Sequence, residues 1–427
     1  MVSLKEKFRS KLPATRDEIR DLVKMYGDVV LTEATVAQAY GGMRGIKSMI
    51  CDTSEVSPDK GLIIRGIPLL EITDKLPEEI FWLLVTGELP NAKELKGLQD
   101  DLTSRAGVPD YVWDVMRAMP KDAHPMAMIS VGIMAMQNLS EFAKAYAAGV
   151  KKTEYWESTM EDVLNLVAKL PELAAGIYRI RFHDGKLIPH DPEEDWGGNM
   201  AKMMGLPDPE GKLAELMRLY LTLHSDHEGG NVSAHVSHTV GSALSDFYYS
   251  LSAGLNGLAG PLHGLANQEC LAFVLEMIDK YGGAPSREQV TEYCWDTLNS
   301  GKVIPGYGHA VLRVTDPRFT AQMEWGSKNI PEDPVFKTVA KIFSLVPGIL
   351  KEQGKAKNPW PNVDAASGSL VYHFGIKEFP FYTVLFSVSR ALGIGAQLIY
   401  NRALGAPIER PKSVTTEWIK RFVNVNQ

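Results

Sequence analysis

The sequence predicts an all-α, mainly helical protein with at most a small β-hairpin, and three observations carry that prediction. Capping-box signatures stand directly before apolar residues at helical spacing. Two long stretches are apolar on every side over helical lengths. Strand-like patterning is confined to one short region. In chain order, Thr15-x-x-Glu18 opens a helix with Ile19, Leu22, Val23 and Tyr26 on one face, stopped by Gly27. Between Ser48 and Gly66, Pro58-Asp-Lys-Gly61 separates two apolar runs, the pattern of a small hairpin. Met126 to Met136 is apolar all round but too short to span a bilayer. Ser158-x-x-Glu161 and Ser286-x-x-Gln289 open further helices, the latter with Val290, Tyr293, Cys294 and Leu298 on one face. Phe381 to Ala403 is long enough to cross a membrane, yet it holds Arg390, Gln397 and Asn401, so it reads as a core or subunit-interface helix.

At 427 residues the chain exceeds what one core usually serves, which predicts two domains. Gly/Pro-rich breaks near 254 to 264 and 375 to 380 mark candidate hinges. The net charge of -7 argues against a broad nucleic-acid footprint, while local arginines can still hold a small anion. Cys51, Cys270 and Cys294 form no C-x-x-C pair, which predicts reduced thiols and no cysteine-held zinc. The N-terminus lacks the apolar core of a secretory signal, and with Met1 almost directly before the first helix the expectation is a bacterial cytoplasm; the alternative is a mature chain of the mitochondrial matrix.

Three segments carry most of the chemistry: Pro261-Leu-His263-Gly-Leu-Ala-Asn267, Pro305-Gly-Tyr-Gly-His309-Ala-Val-Leu-Arg313 and Asn362-Val-Asp364-Ala. A carboxylate removes a proton beside a carbonyl only if a second group stabilises the enolate oxygen, and a third must polarise the electrophile. Two imidazoles and one Asp fill those roles without a metal. Taken singly, a His is more often a hydrogen-bonded core residue and an Asp a cap or turn.

The stretch from His224 to His238 gathers four of the ten histidines. His227-Glu228 is followed by Gly-Gly-Asn231 rather than by a second His one turn on, so a zinc-protease helix is excluded and a helix-ending loop with one ligand-facing His is expected. Arg390, in mid-helix, must meet an anion: either a protein carboxylate or a substrate carboxylate. Arg313, Arg318 and Arg410 lie in or near Gly/Pro-marked loops and together could bind a dicarboxylate through bidentate pairs. No dinucleotide, P-loop or serine-hydrolase motif is present.

His227-Glu-Gly-Gly-Asn231, Pro261 to Asn267, Val303-Ile-Pro-Gly-Tyr-Gly-His309, Asn362-Val-Asp364-Ala, Val388-Ser-Arg390-Ala-Leu-Gly393 and Glu409-Arg410-Pro-Lys-Ser413 together resemble the citrate synthase family, in the mitochondrial type shared by some bacteria. The resemblance runs from about Tyr40 to the C-terminus with motif order kept. It implies that Asp364 is the base for the acetyl methyl of acetyl-CoA, His263 binds the thioester oxygen, and His309 polarises the oxaloacetate ketone. It assigns the oxaloacetate carboxylates to Arg318, Arg390, Arg410 and His227, with Arg410 reaching in from the other subunit of a homodimer. CoA would meet Arg44 and Arg313, the loop of Val303, Pro305, Gly306, Tyr307 and Gly308, and Lys152, where the family carries an Arg nearby. No tightly bound cofactor or metal is implied, nor a nucleic-acid or membrane partner. A large domain would comprise residues 1–264 and 380–427, and a small domain 265–379 would close over the substrates.

One departure stands beside the proposed base. Many members read Asn-Val-Asp-Ala-His-Ser-Gly, whereas this chain has Ala366, a residue also met in 2-methylcitrate synthases that use propionyl-CoA. A methylene in an apolar pocket is worth about 1 to 3 kcal/mol, so substrate overlap is expected with citrate as the main product. The remaining alternative is a non-catalytic scaffold or filament protein of the same fold, which the intact His263, His309 and Asp364 set opposes.

Overall fold

The computed structural model describes residues 2–309 and 311–425; Met1, on which the compartment expectation leaned, and Ala310, inside the His309 motif, lie outside the described residues. The all-α expectation holds. Helices dominate, and the described strands, Ser54–Ser57, Gly61–Ile64 and Ile67–Pro68, form one antiparallel sheet. Ser54 pairs with Ile64 and Ser57 with Gly61, so the turn falls at Pro58 to Lys60 as its residues suggest. Gly61 has φ +79°, and a Cβ there would stand 2.4 Å from Pro317 Cδ. Only glycine therefore lets the hairpin lie against the first turn of the Arg318 helix, Pro317–Asn329.

Two helix starts differ from expectation. The first helix runs Leu4–Tyr26 from a capping box of Ser3 and Glu6 and passes through Pro13. Thr15 is no cap: its hydroxyl donates to the Lys11 carbonyl at 3.3 Å. Ser158 likewise sits inside the Tyr155–Phe182 helix, and Glu161 pairs with Lys5 and Arg105 instead of capping. A hydroxyl can bond back to an earlier carbonyl within a helix, so S/T-x-x-E alone does not mark a start. The Ser286 and Gln289 box does open Arg287–Asn299, with Val290 and Cys294 buried.

The Arg390 helix, Tyr382–Leu404, is the axis of the core. It meets the length and hydropathy of a membrane span, yet its apolar window is wholly enclosed by protein. Packed against it are Tyr155–Phe182, Lys212–Leu223, Val232–Ser242 and Phe247–Leu258. Gly393 decides one approach: its N–H donates to Ser225 O at 3.0 Å, and a Cβ would fall 2.4 Å from Asp226 Oδ1. That contact lays the 224–231 loop across the Arg390 helix. The first Gly/Pro-marked break is shorter than expected, because the helix continues through Gly254 and Gly257 to Leu258. Gly254 serves packing rather than breaking: a Cβ there would meet Ser237 Oγ at 2.0 Å and Ser233 O at 2.5 Å.

Candidate active site

Three irregular segments converge, and backbone hydrogen bonds join two of them. Gly308 N–H donates to Trp360 O at 3.0 Å and Asn362 N–H to Gly306 O at 2.8 Å. The Asn362 side chain donates to Gly308 O at 3.1 Å and accepts from Asp364 N–H at 3.0 Å. Gly306 has φ +78°, and a Cβ would stand 2.7 Å from Cys270 Sγ and 2.9 Å from Ala365 Cα. Glycine thus allows the His309 loop to lie on the first turn of the Asp364 helix, Asp364–His373.

The protonation pattern of both histidines follows from the backbone N–H groups that donate to them. His263 Nε2 accepts from Ser233 N–H at 3.2 Å and lies 2.9 Å from Ser233 Oγ. A ring nitrogen accepting from an amide carries no proton, so neutral His263 keeps its hydrogen on Nδ1. In His309 the roles reverse: Nδ1 accepts from Val311 N–H and Leu312 N–H, both at 3.0 Å, leaving Nε2–H as the free donor. Burial, then Arg390, lowers His263 to about 4. Burial, then Arg318, lowers His309 to about 4, with Asp316 opposing. Both are neutral hydrogen-bond donors at pH 7.

Asp364 is the first residue of its helix, where the macrodipole favours a carboxylate. Burial nevertheless raises it to about 6, opposed by Arg318 and reinforced by Asp316. It is mostly ionised at pH 7 and far more basic than an ordinary Asp, which suits a general base.

The two buried arginines are held differently. Arg318 is forked onto Asp316, Nε to Oδ1 at 3.0 Å and Nη2 to Oδ2 at 2.7 Å. Arg390 is 1% exposed and meets only neutral acceptors: His224 O at 3.1 Å, Asn231 Oδ1 at 3.3 Å and the Phe386 ring, its guanidinium carbon 4.7 Å from the centroid. Among the described residues it forms no salt bridge, and burial brings it down to about 10 despite the attraction of Asp226. Of the two partners left open for Arg390, a protein carboxylate within salt-bridge distance is not found among the described residues.

His227 lies in a loop between the helices Lys212–Leu223 and Val232–Ser242, as expected. Its Nε2 is buried without a partner among the described residues, and its ring stands 5.7 Å from that of His309. The other histidines of that stretch take separate partners: His224 bonds Tyr220 O, and His235 and His238 face Glu409. The three cysteines are free thiols.

Other expected residues are not gathered in this way. Arg410 is exposed in the segment after the Arg390 helix, Arg44 is exposed in a turn, and Lys152 is exposed beside Gly405, its Cε 3.5 Å from where a Cβ would stand. Val303 is exposed, Tyr307 bridges to Pro361, and Pro305, Gly306 and Gly308 form the loop between them. Arg313 braces that region, its Nη1 donating to Val311 O at 2.9 Å and Leu312 O at 2.7 Å and its N–H to Pro58 O at 2.9 Å. Sequence reasoning gave no role to Asp316, Asn231 or Ser233. Asp316 and Asn231 are the N-caps of the helices Pro317–Asn329 and Val232–Ser242, so Arg318 stands on a helix rather than in the loop expected of it, and a cap residue does not reveal in sequence which distant side chain it will also hold.

Residues 42–412 match the family described as "Citrate synthase, C-terminal domain". The chain belongs to the citrate synthase family. It is 51% identical over 431 residues to "Citrate synthase, mitochondrial" of Saccharomyces cerevisiae, covering 99% of this chain and 90% of that protein. It is 50% identical over 429 residues to "Citrate synthase 4, mitochondrial" of Arabidopsis thaliana, covering 98% and 90%. In structure it resembles the crystal structure of citrate synthase from Pyrobaculum aerophilum, with a TM-score of 0.78 and 27% identity, covering 88% and 92% of the two chains. The enzyme condenses acetyl-CoA with oxaloacetate to give citrate, the entry reaction of the tricarboxylic acid cycle. Acetyl-CoA is its substrate, and the 2-methylcitrate and non-catalytic alternatives are not favoured. The expected bacterial cytoplasm is corrected, since these relatives at half identity are mitochondrial proteins by name.

Proposed function

We propose that Asp364, His263 and His309 divide the condensation among them. The Asp364 carboxylate takes a proton from the acetyl methyl group. His263 Nδ1–H hydrogen-bonds the thioester oxygen as the enolate forms, and His309 Nε2–H polarises the oxaloacetate ketone and then protonates the new alkoxide. Water finally cleaves the citryl thioester. Supporting this reading are the tautomers, which leave each imidazole one free N–H, and the low basicity that keeps both neutral.

Arg390 carries the substrate assignment: a buried guanidinium with no carboxylate partner among the described residues, beside the neutral His227 and His309, suits an oxaloacetate carboxylate. Arg318 and His227 complete the set. Arg410 is assigned to the neighbouring subunit's site in a homodimer. Exposed apolar residues on both terminal segments, among them Val23, Val30, Leu31, Val414 and Trp418, support subunit contact there. CoA is assigned to Arg44, Lys152, Arg313 and the loop of Val303, Pro305, Gly306, Tyr307 and Gly308.

The division into 1–264 with 380–427 and 265–379 puts His227, His263 and Arg390 on one side and His309, Arg318 and Asp364 on the other. Closure would then assemble the reaction centre and exclude water from the enolate. By analogy with the relatives, the chain is assigned to the mitochondrion. The deciding experiment is Asp364→Ala, assayed for oxaloacetate-dependent release of CoA thiol alongside oxaloacetate binding. Turnover should fall by at least about a thousandfold with binding retained; near-wild-type turnover would remove Asp364 from the mechanism.

A further inference from the structure

Tyr220 stands out among the buried polar groups that the mechanism does not use. It is 2% exposed, and its phenolic oxygen is buried with no hydrogen-bond partner among the described residues. Its ring stacks on His224, centroids 4.2 Å apart and planes 24° apart, and His224 O in turn accepts from Arg390 Nε. The ring is therefore fixed from behind by the oxaloacetate side of the site. Buried hydroxyls are rarely left unmade, because the lost water contacts are not recovered.

The Tyr220 helix, Lys212–Leu223, packs on the Asp364 helix, the Arg318 helix and the Arg390 helix. Asp364 also lacks a side-chain partner for its carboxylate among the described residues. We infer that Tyr220 is a positioning residue for Asp364, its O–H donating a hydrogen bond to that carboxylate as the cleft closes. The inference rests on the reading of Asp364 as the base. Burial and the Asp364 charge both push the phenol above its ordinary range, so it stays a donor throughout the working pH range. The other titratable groups facing Asp364 are Arg318 and Asp316 from the adjoining helix and Cys270 from Ala266–Tyr281. None of these three is a strong, free neutral donor: Arg318 is charged and forked onto Asp316, Asp316 is the acceptor of that fork, and the neutral Cys270 thiol donates only weakly.

A hydrogen bond to the ionised form holds the carboxylate in one rotamer and keeps it ionised against burial. The test is Tyr220→Phe, which removes one oxygen, made alone and together with Asp364→Ala. Alone, it should lower kcat roughly tenfold to a hundredfold and leave the KM for oxaloacetate within about twofold. The acid limb of kcat/KM for acetyl-CoA should move up by roughly one pH unit. On the residual turnover of Asp364→Ala it should change nothing. Wild-type kcat and an unmoved acid limb would overturn the inference. So would a matching rise in the oxaloacetate KM, which would assign Tyr220 to the His224 and Arg390 scaffold, or an equal loss in both backgrounds. Asp364→Ala alone separates the two readings: if it remains active, the base assignment falls, whereas an inactive Asp364→Ala beside an unaffected Tyr220→Phe removes only Tyr220.

Discussion

Asp316 grips Arg318 along one edge of the guanidinium, with hydrogen bonds of 3.0 and 2.7 Å and both residues nearly excluded from water. The same carboxylate accepts the Arg318 N–H at 2.9 Å, so the helix start and the side chain share one anchor. A planar, bidentate fork leaves Arg318 little rotational freedom and presents its remaining donors in a set direction.

Asp316→Asn should therefore injure both fold and binding. An amide cannot accept on both arms, and a buried guanidinium left partly unpaired costs about 3 kcal/mol or more. Denaturant unfolding should show that loss, and the KM for oxaloacetate should rise at least about tenfold. An unchanged KM would show that Arg318 needs no fork to reach substrate.

Arg390 predicts the reverse separation. With no salt bridge to break, Arg390→Met replaces an incompletely satisfied charge by apolar volume, and stability should change by less than about 1.5 kcal/mol or rise. Oxaloacetate binding should weaken by roughly a hundredfold or more, because charge-assisted hydrogen bonds are lost. Calorimetric titration beside thermal unfolding distinguishes the two effects.

The pH profile should be governed by Asp364 on its acid side. The base must be ionised, and its carboxyl is raised to about 6, so kcat/KM should be complete above that value and fall as pH drops through it. His263 and His309, both lowered to about 4, remain neutral over the same range and add no further loss until pH approaches that value. A kcat/KM profile whose acid limb lay near 4 would contradict Asp364 as the titrating group.

Gly306→Ala tests the joint between the His309 loop and the Asp364 helix. The positive φ and the 2.7 and 2.9 Å approaches leave no room for a methyl group, so the loop must lift. Turnover should fall at least about tenfold, because His309 and Asp364 lose their register, while stability drops by about 1 to 2 kcal/mol. Retained turnover would mean that the loop is adaptable at that point.

Much of the site was legible because its chemistry is carried by residue type. Arg390 within an apolar run implied an anion, and His227 before Gly-Gly-Asn implied a loop rather than a zinc helix. What misled were motifs with two structural uses. The Thr15 and Ser158 boxes are equally comfortable inside a helix, since a cap is worth only about 1 kcal/mol and a longer apolar face outweighs it.

The sequence by itself determined the helical class, the buried character of Tyr382–Leu404 and the residue types that a condensation needs. Those follow from periodicity and from the intrinsic chemistry of imidazole, carboxylate and guanidinium, which no neighbour can supply. Only the tertiary structure decided which carboxylate holds Arg318, that none among the described residues holds Arg390, and which nitrogen of His263 and of His309 carries the proton. Each depends on donors and acceptors brought together from distant segments, Ser233 to His263 and Asn231 to Arg390 among them. Such contacts are chosen by how the helices pack, and local sequence does not encode them.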